Sequence, residues 1–300
     1  MASSQIKKTL ISIGAISSKN LEVFSTQTRD ADIPVFRDVV SEVIFIDDHY
    51  VGDEEYISGI TREDSPPLED SLDTQRRIRE HANVIYGKNI LDFGFGAGTF
   101  LEAAKVTASS VAGVELEIEA KKFSARTGIR TFEGLNELTD PIDAVFAFHV
   151  LEHLPDPLGW LRKVREVLVG NSGSLIIEVP HARDLLLTSL PLEAFRNHTL
   201  WSQHLVLHTR ESLRKLLLFA GFTVEAIYGV QRYGLGNHLG WMSEGRPGTH
   251  FDAPFRCIET PELASAYESS LVSLDLSDTL VVIASPNESQ NATGLGSSST

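Results

Sequence analysis

Residues 89–100 read NILDFGFGAGTF: an apolar run carrying one acid, Asp92, then three glycines at 94, 96 and 98, then a helix-like segment. A strand that passes through a glycine turn into a helix exposes backbone N–H groups at the helix start, where a ligand can approach closely. The spacing is G-x-G-x-G, and Thr99 stands where the dinucleotide fingerprint G-x-G-x-x-G places its last glycine. At the end of the next strand-like run, VAGVELE, Glu115 can accept both hydroxyls of a ribose. Dinucleotide folds use a carboxylate in the same way, so Glu115 alone does not choose between ligands.

Outward from this turn the chain alternates. SVAGVEL, IRTFEG, IDAVFAFHV and GSLIIEVP read as strands, separated by helix-like GTFLEAAKVTA, EIEAKKFSARTG and DPLGWLRKVREVLV. Continuous apolar strands alternating with amphipathic helices mean a parallel sheet covered on both faces. Upstream, TREDSPPLED reads as a linker, and the pattern predicts a helix over 73–86 stopped by Gly87. Downstream, TRESLRKLLLFAGF is a helix ending at Gly221, and TVEAIYGV and DTLVVIAS are strands. Between those two strands lies QRYGLGNHLGWMSEGRPGTHFDAPF, without a period, which reads as a functional loop.

Taken together, LDFGFGAG, GVELE, DAVFAFHVLEHLPDP and GSLIIEVP resemble the class I S-adenosylmethionine-dependent methyltransferases over roughly residues 72–182. The most specific piece is HVLEHLPDP, a pattern of small-molecule methyltransferases. The resemblance implies an α/β fold, a doubly wound and mostly parallel seven-stranded sheet, with an N-terminal cap and a C-terminal lid insertion. It implies that Gly94, Gly96 and Gly98 pack on the methionine part of the cofactor, with Asp92 near its amino end. Glu115 then holds the ribose, Leu116 touches the adenine, and Gly134 and Leu135 border that ring. His149 and His153 fall where cofactor and substrate meet, and Phe93, Phe95 and Phe100 surround the turn, as aromatic faces for a cation or as core.

Beyond Pro180, the stretch NHTLWSQHLVLHTRESLRKLLLFAGF is similar to the C-terminal half of sugar methyltransferases. His204 matches the final histidine of their Tyr-His-Glu-His block, whereas Ser202 and Gln203 replace the preceding histidine and glutamate. Losing that carboxylate favours oxygen over carbon as the methylated atom. The candidate catalytic residues are His204, with His181 and Glu178 from the strand-end EVPH. Trp201, Arg232, Tyr233, Asn237, His238 and Trp241 are the candidate acceptor contacts, the last five in the expected lid at about 231–275. The relatives' N-terminal zinc-binding cysteines are absent, so residues 1–70 read as a cap or oligomerisation piece without metal. Residues 71–182 are the cofactor domain, 183–285 the remaining sheet with the lid, and 286–300 a disordered tail.

Composition narrows the partners. A formal net charge of −15 repels phosphate backbones, so nucleic acid is excluded as a partner. No apolar run is long enough to span a membrane, and the start, MASSQIKKTLISIGAIS, is a poor signal peptide. One cysteine, Cys257, permits no internal disulfide and no multi-cysteine zinc site, and a reducing cytoplasm is the default compartment. The leading function is O-methylation of a sugar or nucleotide sugar for a surface polysaccharide. Its alternatives are another acceptor such as a quinone precursor or fatty acid, an inactive methyltransferase-like scaffold, and a nicotinamide-dependent oxidoreductase. A homodimer is a possible assembly.

Overall fold

The computed structural model describes residues 5–47, 49, 67–115, 117–249 and 252–287. Leu116, and nearly all of the expected tail, lie outside the described residues.

A seven-stranded sheet forms the centre. Its strands are β4 (Asn89–Phe93), β5 (Ser110–Val114), β6 (Arg130–Phe132), β7 (Ala144–Phe148), β8 (Ser174–Pro180), β10 (Phe222–Val230) and β11 (Thr279–Pro286). They run in the order β10-β11-β8-β7-β4-β5-β6. β4, β5, β6, β7 and β8 pair in parallel, and β11 lies antiparallel between β8 and β10. Val145, Phe146 and Ala147 on β7 are all inaccessible to solvent. Helices on both faces take the outward side chains, so these strands read as unbroken apolar runs without alternation. The helix Pro157–Val167 starts where Asp156 accepts from the Gly159 amide at 2.9 Å. It buries Leu161 and Val164 on the sheet, and each such side chain contributes about 1.5–3 kcal/mol.

A second, four-stranded antiparallel sheet has the order β1 (Leu21–Ser25), β2 (Val35–Asp38), β3 (Ile44–Ile46) and β9 (Val206–Leu207). Its fourth strand comes from the region beyond β8, and Val43 and Phe45 share a core with Leu205 and Val206. The N-terminal segment is therefore built together with the His204 block.

Two expectations are corrected. The helix over 73–86 is two, Pro67–Glu80 and Ala82–Ile85, and the first begins inside the expected linker. Pro67 suits a first helical position, where its missing N–H is no loss. The region at 231–275 is not an irregular loop but carries the helices Leu235–Glu244, Ala253–Arg256 and Pro261–Ser273. Its glycines hid this. A Cβ on Gly240 would lie 1.7 Å from Thr249 Oγ1, and one on Gly236 would lie 2.9 Å from the Phe255 carbonyl. Close packing, not chain flexibility, selects glycine there.

Candidate cofactor and acceptor site

The glycine turn leaves β4 at the carboxyl edge of the sheet. Gly94, Gly96 and Gly98 have φ of 74°, 55° and 79°, a region other residues enter at a cost. A Cβ on Gly94 would stand 2.5 Å from Val150, and one on Gly98 would stand 2.0 Å from Phe123. A Cβ on Gly96 meets nothing within 4 Å, so this glycine faces open space. Its amide donates to Glu115 Oε2 at 2.9 Å, which fixes the carboxylate beside the turn. Asp92 is 2% exposed, and its Oδ1 has no hydrogen-bond partner. Burial pushes its carboxyl well above the usual range, against the Arg77 charge.

Next to the turn lies a buried ion cluster. Glu178 is fully buried and accepts from Arg76 Nη2 at 2.8 Å, Arg77 Nε at 2.9 Å and Arg77 Nη2 at 2.7 Å. Burial alone would raise its pKa, but the Arg77 and Arg76 guanidiniums outweigh that and hold it below the usual value. Glu178, expected among the catalytic residues, has both oxygens engaged by these two arginines. The Arg77 guanidinium also lies 4.1 Å from the Phe148 ring centroid. Thr74 and Thr99 share a hydrogen bond at 3.0 Å, tying the helix Pro67–Glu80 to the glycine turn.

The strand end of β7 carries the histidines. His149 adopts φ +56°, a conformation uncommon outside glycine and a mark of functional turns. Its Nε2 accepts from Arg232 Nη1 at 3.1 Å, and Arg232 Nε donates to Asp73 at 2.8 Å. The 3-10 turn Leu151–His153 follows and buries Glu152 completely. Glu152 Oε1 lies 3.4 Å from His149 Nδ1 and 4.0 Å from His153 Nε2. His153 Nδ1 donates to the Gln203 carbonyl at 2.8 Å, and His204 Nδ1 to that of Thr199 at 3.3 Å. The His153 and His204 rings are 4.9 Å apart, with Trp201 at 6.0 and 5.5 Å respectively. Burial drives His153 down to about 4 and His204 to about 3, so both are neutral at physiological pH.

Residues 72–227 match the family model described as a methyltransferase domain. The chain belongs to this family. The matched residues form a class I S-adenosylmethionine-dependent methyltransferase domain. A solved structure of a SAM dependent methyltransferase from Archaeoglobus fulgidus shares the fold, with a TM-score of 0.50 at 19% identity over 78% of this chain and 100% of that one. The ubiquinone biosynthesis O-methyltransferase of Actinobacillus pleuropneumoniae serotype 7 is 26% identical over 106 residues, which is 30% of this chain and 45% of that protein. That of Photobacterium profundum is 32% identical over 91 residues, 27% of this chain and 39% of that protein. The chain thus spans less than half the length of these curated relatives.

The methyltransferase domain fits its cofactor on its own geometry. An open glycine, a carboxylate held beside it and an orphaned buried aspartate suit a ligand carrying a diol and positive charge. Phe95 and Phe100 belong to the core, packed on Phe123 at 4.8 Å and on Phe146 at 4.9 Å. Phe93 stays half-buried, edge-on to Trp160 at 5.2 Å. Gly134 precedes the 3-10 turn Leu135–Glu137, and Leu135 is buried in the main core.

The remaining candidates separate. Arg232 joins the site through His149 and Asp73, and the Tyr233 amide donates to Asp278 at 3.0 Å. Asn237, His238 and Trp241 are buried within the chain's own packing. His238 Nδ1 bonds Tyr267 at 2.7 Å, and Trp241 packs on Phe195 and His198 at 5.2 and 5.3 Å. His181 Nδ1 donates to the Ser277 carbonyl at 3.0 Å, and its Nε2 lies 3.9 Å from Asp275. Glu152, Arg76, Arg77 and Asp73 were not anticipated as site residues. For Glu152 the signal was available: an acid inside a turn flanked by apolar residues, next to histidine.

Proposed function

We propose that this chain transfers a methyl group from S-adenosylmethionine to an oxygen of a small molecule. The observation that supports this most is the open Gly96 bound to Glu115, 2.9 Å apart, with Asp92, whose Oδ1 has no partner, near the end of β4, the strand that leads into the turn. When bound, the cofactor supplies a methyl carbon already activated by positive sulfur. The chain's own task is then alignment and management of the acceptor proton. Glu115 accepts from the ribose diol, and Asp92 offers a buried acceptor to the amino group. Val150 packs over Gly94, which sets the His149–His153 turn against the donor side. There His153 and His204 stand as neutral imidazoles, the form that receives a proton.

A phenolic acceptor is favoured over a sugar, in keeping with relatives named as ubiquinone biosynthesis O-methyltransferases. A planar ring suits the aromatic wall of Trp201, His153 and His204, and three of the residues expected to grip a sugar are spent in internal packing. A sugar hydroxyl is the second reading, favoured by the partial exposure of Trp201 and its place next to His204.

The test has two arms. S-adenosylhomocysteine at millimolar concentration raises the melting temperature, because a ligand bound only to the folded state stabilises it. Mass spectrometry of reactions with catechols, quinone-precursor phenols and nucleotide sugars then shows a gain of one methyl on a phenol. No thermal shift sinks the donor, and methylation of sugars alone replaces the acceptor.

A further inference from the structure

Glu152 presents a problem that the donor site leaves unsolved. Its carboxyl group is inaccessible to solvent and neither oxygen has a hydrogen-bond partner, its nearest polar contact being His149 Nδ1, 3.4 Å from Oε1. Buried polar groups in folded proteins nearly always have partners, so an orphaned carboxyl at the strand end of a functional sheet calls for one. The neighbouring histidines show what kind. A backbone carbonyl only accepts, so the contacts to Gln203 and Thr199 place the proton of each ring on Nδ1. Each Nε2 then carries a lone pair. His153 Nε2 lies 4.0 Å from Glu152, and one ligand atom from each of Glu152, His153 and His204 falls within 4.8 Å of the other two.

We infer that Glu152, His153 and His204 form a binding site for a divalent first-row transition cation. Imidazoles whose other nitrogen is held by a carbonyl are the usual metal-ligating kind, because the outer contact fixes tautomer and ring orientation. Two imidazoles and one carboxylate suit Zn²⁺ or Co²⁺, whereas Ca²⁺ and Mg²⁺ prefer sets built from oxygen. With bonds of about 2.0–2.2 Å, ligand atoms around a tetrahedral ion stand about 3.4 Å apart. Binding draws the three ligand atoms, now up to 4.8 Å apart, together by on the order of 1 Å. Three protein ligands leave a position open, as in catalytic sites, and structural sites close all four.

The expectation of a chain without metal came from missing cysteines, and a nitrogen–oxygen site needs none. With the cation bound, the Nε2 lone pairs of both His153 and His204 are committed to it, and neither imidazole receives the acceptor proton directly. Binding of the cation stands apart from the methyl-transfer reading. Only its further role rests on that reading, in which the open position takes an acceptor oxygen and holds it near the donor side.

The experiment uses the full chain, stripped with a chelator and titrated with Co²⁺ alone. One equivalent binds and gives the visible absorption of four- or five-coordinate Co²⁺, which Zn²⁺ displaces. Glu152→Gln, close in shape to the neutral acid, and His204→Ala each weaken Co²⁺ binding at least about 10-fold, the lower bound for losing even an outer partner. Binding of S-adenosylhomocysteine to E152Q is measured alongside, and its retention shows that the variant is folded. No saturable Co²⁺ binding by the wild-type chain, or equal binding by wild type and a folded E152Q, overturns the site. Co²⁺ binding without cofactor binding would leave the metal site standing and remove the methyl-transfer reading; the opposite pattern does the reverse.

Discussion

The Gly96 amide donates to the Glu115 carboxylate at 2.9 Å, joining the glycine turn after β4 to the end of β5. The bond spends only part of the capacity of a carboxylate, which has about four lone-pair directions. Held there, the carboxylate stands beside the open glycine, where a ribose diol can reach it. Glu115→Ala is expected to weaken S-adenosylhomocysteine about 10- to 100-fold, as removal of hydrogen bonds to a charged group costs about 1.5–3 kcal/mol. Isothermal titration measures this. An unchanged Kd removes Glu115 from the cofactor's binding groups.

Gly96 and Gly98 make a matched pair for separating conformation from contact. Both have positive φ, but only Gly98 has a neighbour in the way, with Phe123 at 2.0 Å from the built Cβ. Gly98→Ala adds overpacking of about 1–3 kcal/mol to a backbone cost of about 1–2 kcal/mol, and a shift in the urea midpoint reports it. Gly96→Ala carries the backbone cost alone. Its methyl group enters the open space over the turn, so it is expected to lose more cofactor affinity than stability. Equal loss of stability in both variants would mean that Phe123 relaxes freely.

The parts of this architecture that sequence reveals are those coded by neighbours in the chain. NILDFG, IDAVFAFHV and GSLIIEVP are legible as buried strands because continuous apolar runs end at turn residues. The turn at Gly94, Gly96 and Gly98 is legible because positive φ and close packing force small residues into fixed places. Pairs made across the fold are not. Arg76 and Arg77 reach Glu178 over separations of 102 and 101 residues, and nothing local in DTQRRIRE distinguishes these arginines from solvated charges. β9 is two residues long, too short to show a period, yet it completes the N-terminal sheet. In the segment after β10, glycines at contact points broke the helical pattern that the folded chain restores.

Glu178 is expected to be a structural requirement and not a chemical one. Glu178→Gln leaves the Arg77 guanidinium buried without its ion-pair partner, while Arg76 keeps Asp73 and Glu80, and breaking a buried pair this way costs about 3–5 kcal/mol. Because its folded pKa is depressed, the stabilisation is present above the unfolded value of about 4.3 and fades as pH falls through the lower folded value. Denaturation of wild type and variant should therefore converge in acid. A folded variant with native stability at pH 7 and abolished activity would restore a catalytic role.

Asp184 titrates in the opposite sense. It is 7% exposed, and its Oδ1 accepts from the Leu186 amide at 2.7 Å. Burial, assisted by the charge of Asp278, lifts its pKa to about 7. A carboxyl whose folded pKa lies above its unfolded value binds its proton more tightly in the native state. Its contribution is fully present below about pH 4 and is lost as pH rises through 7. Asp184→Asn keeps an oxygen for Leu186 and has no charge to bury. The variant is expected to match wild type near pH 4 and to exceed it by on the order of 1–4 kcal/mol at pH 8, with the pH slope between them reduced. Urea denaturation at the two pH values decides it: parallel curves for the two proteins would show that Asp184 is ionised throughout and that local hydrogen bonds outweigh its burial.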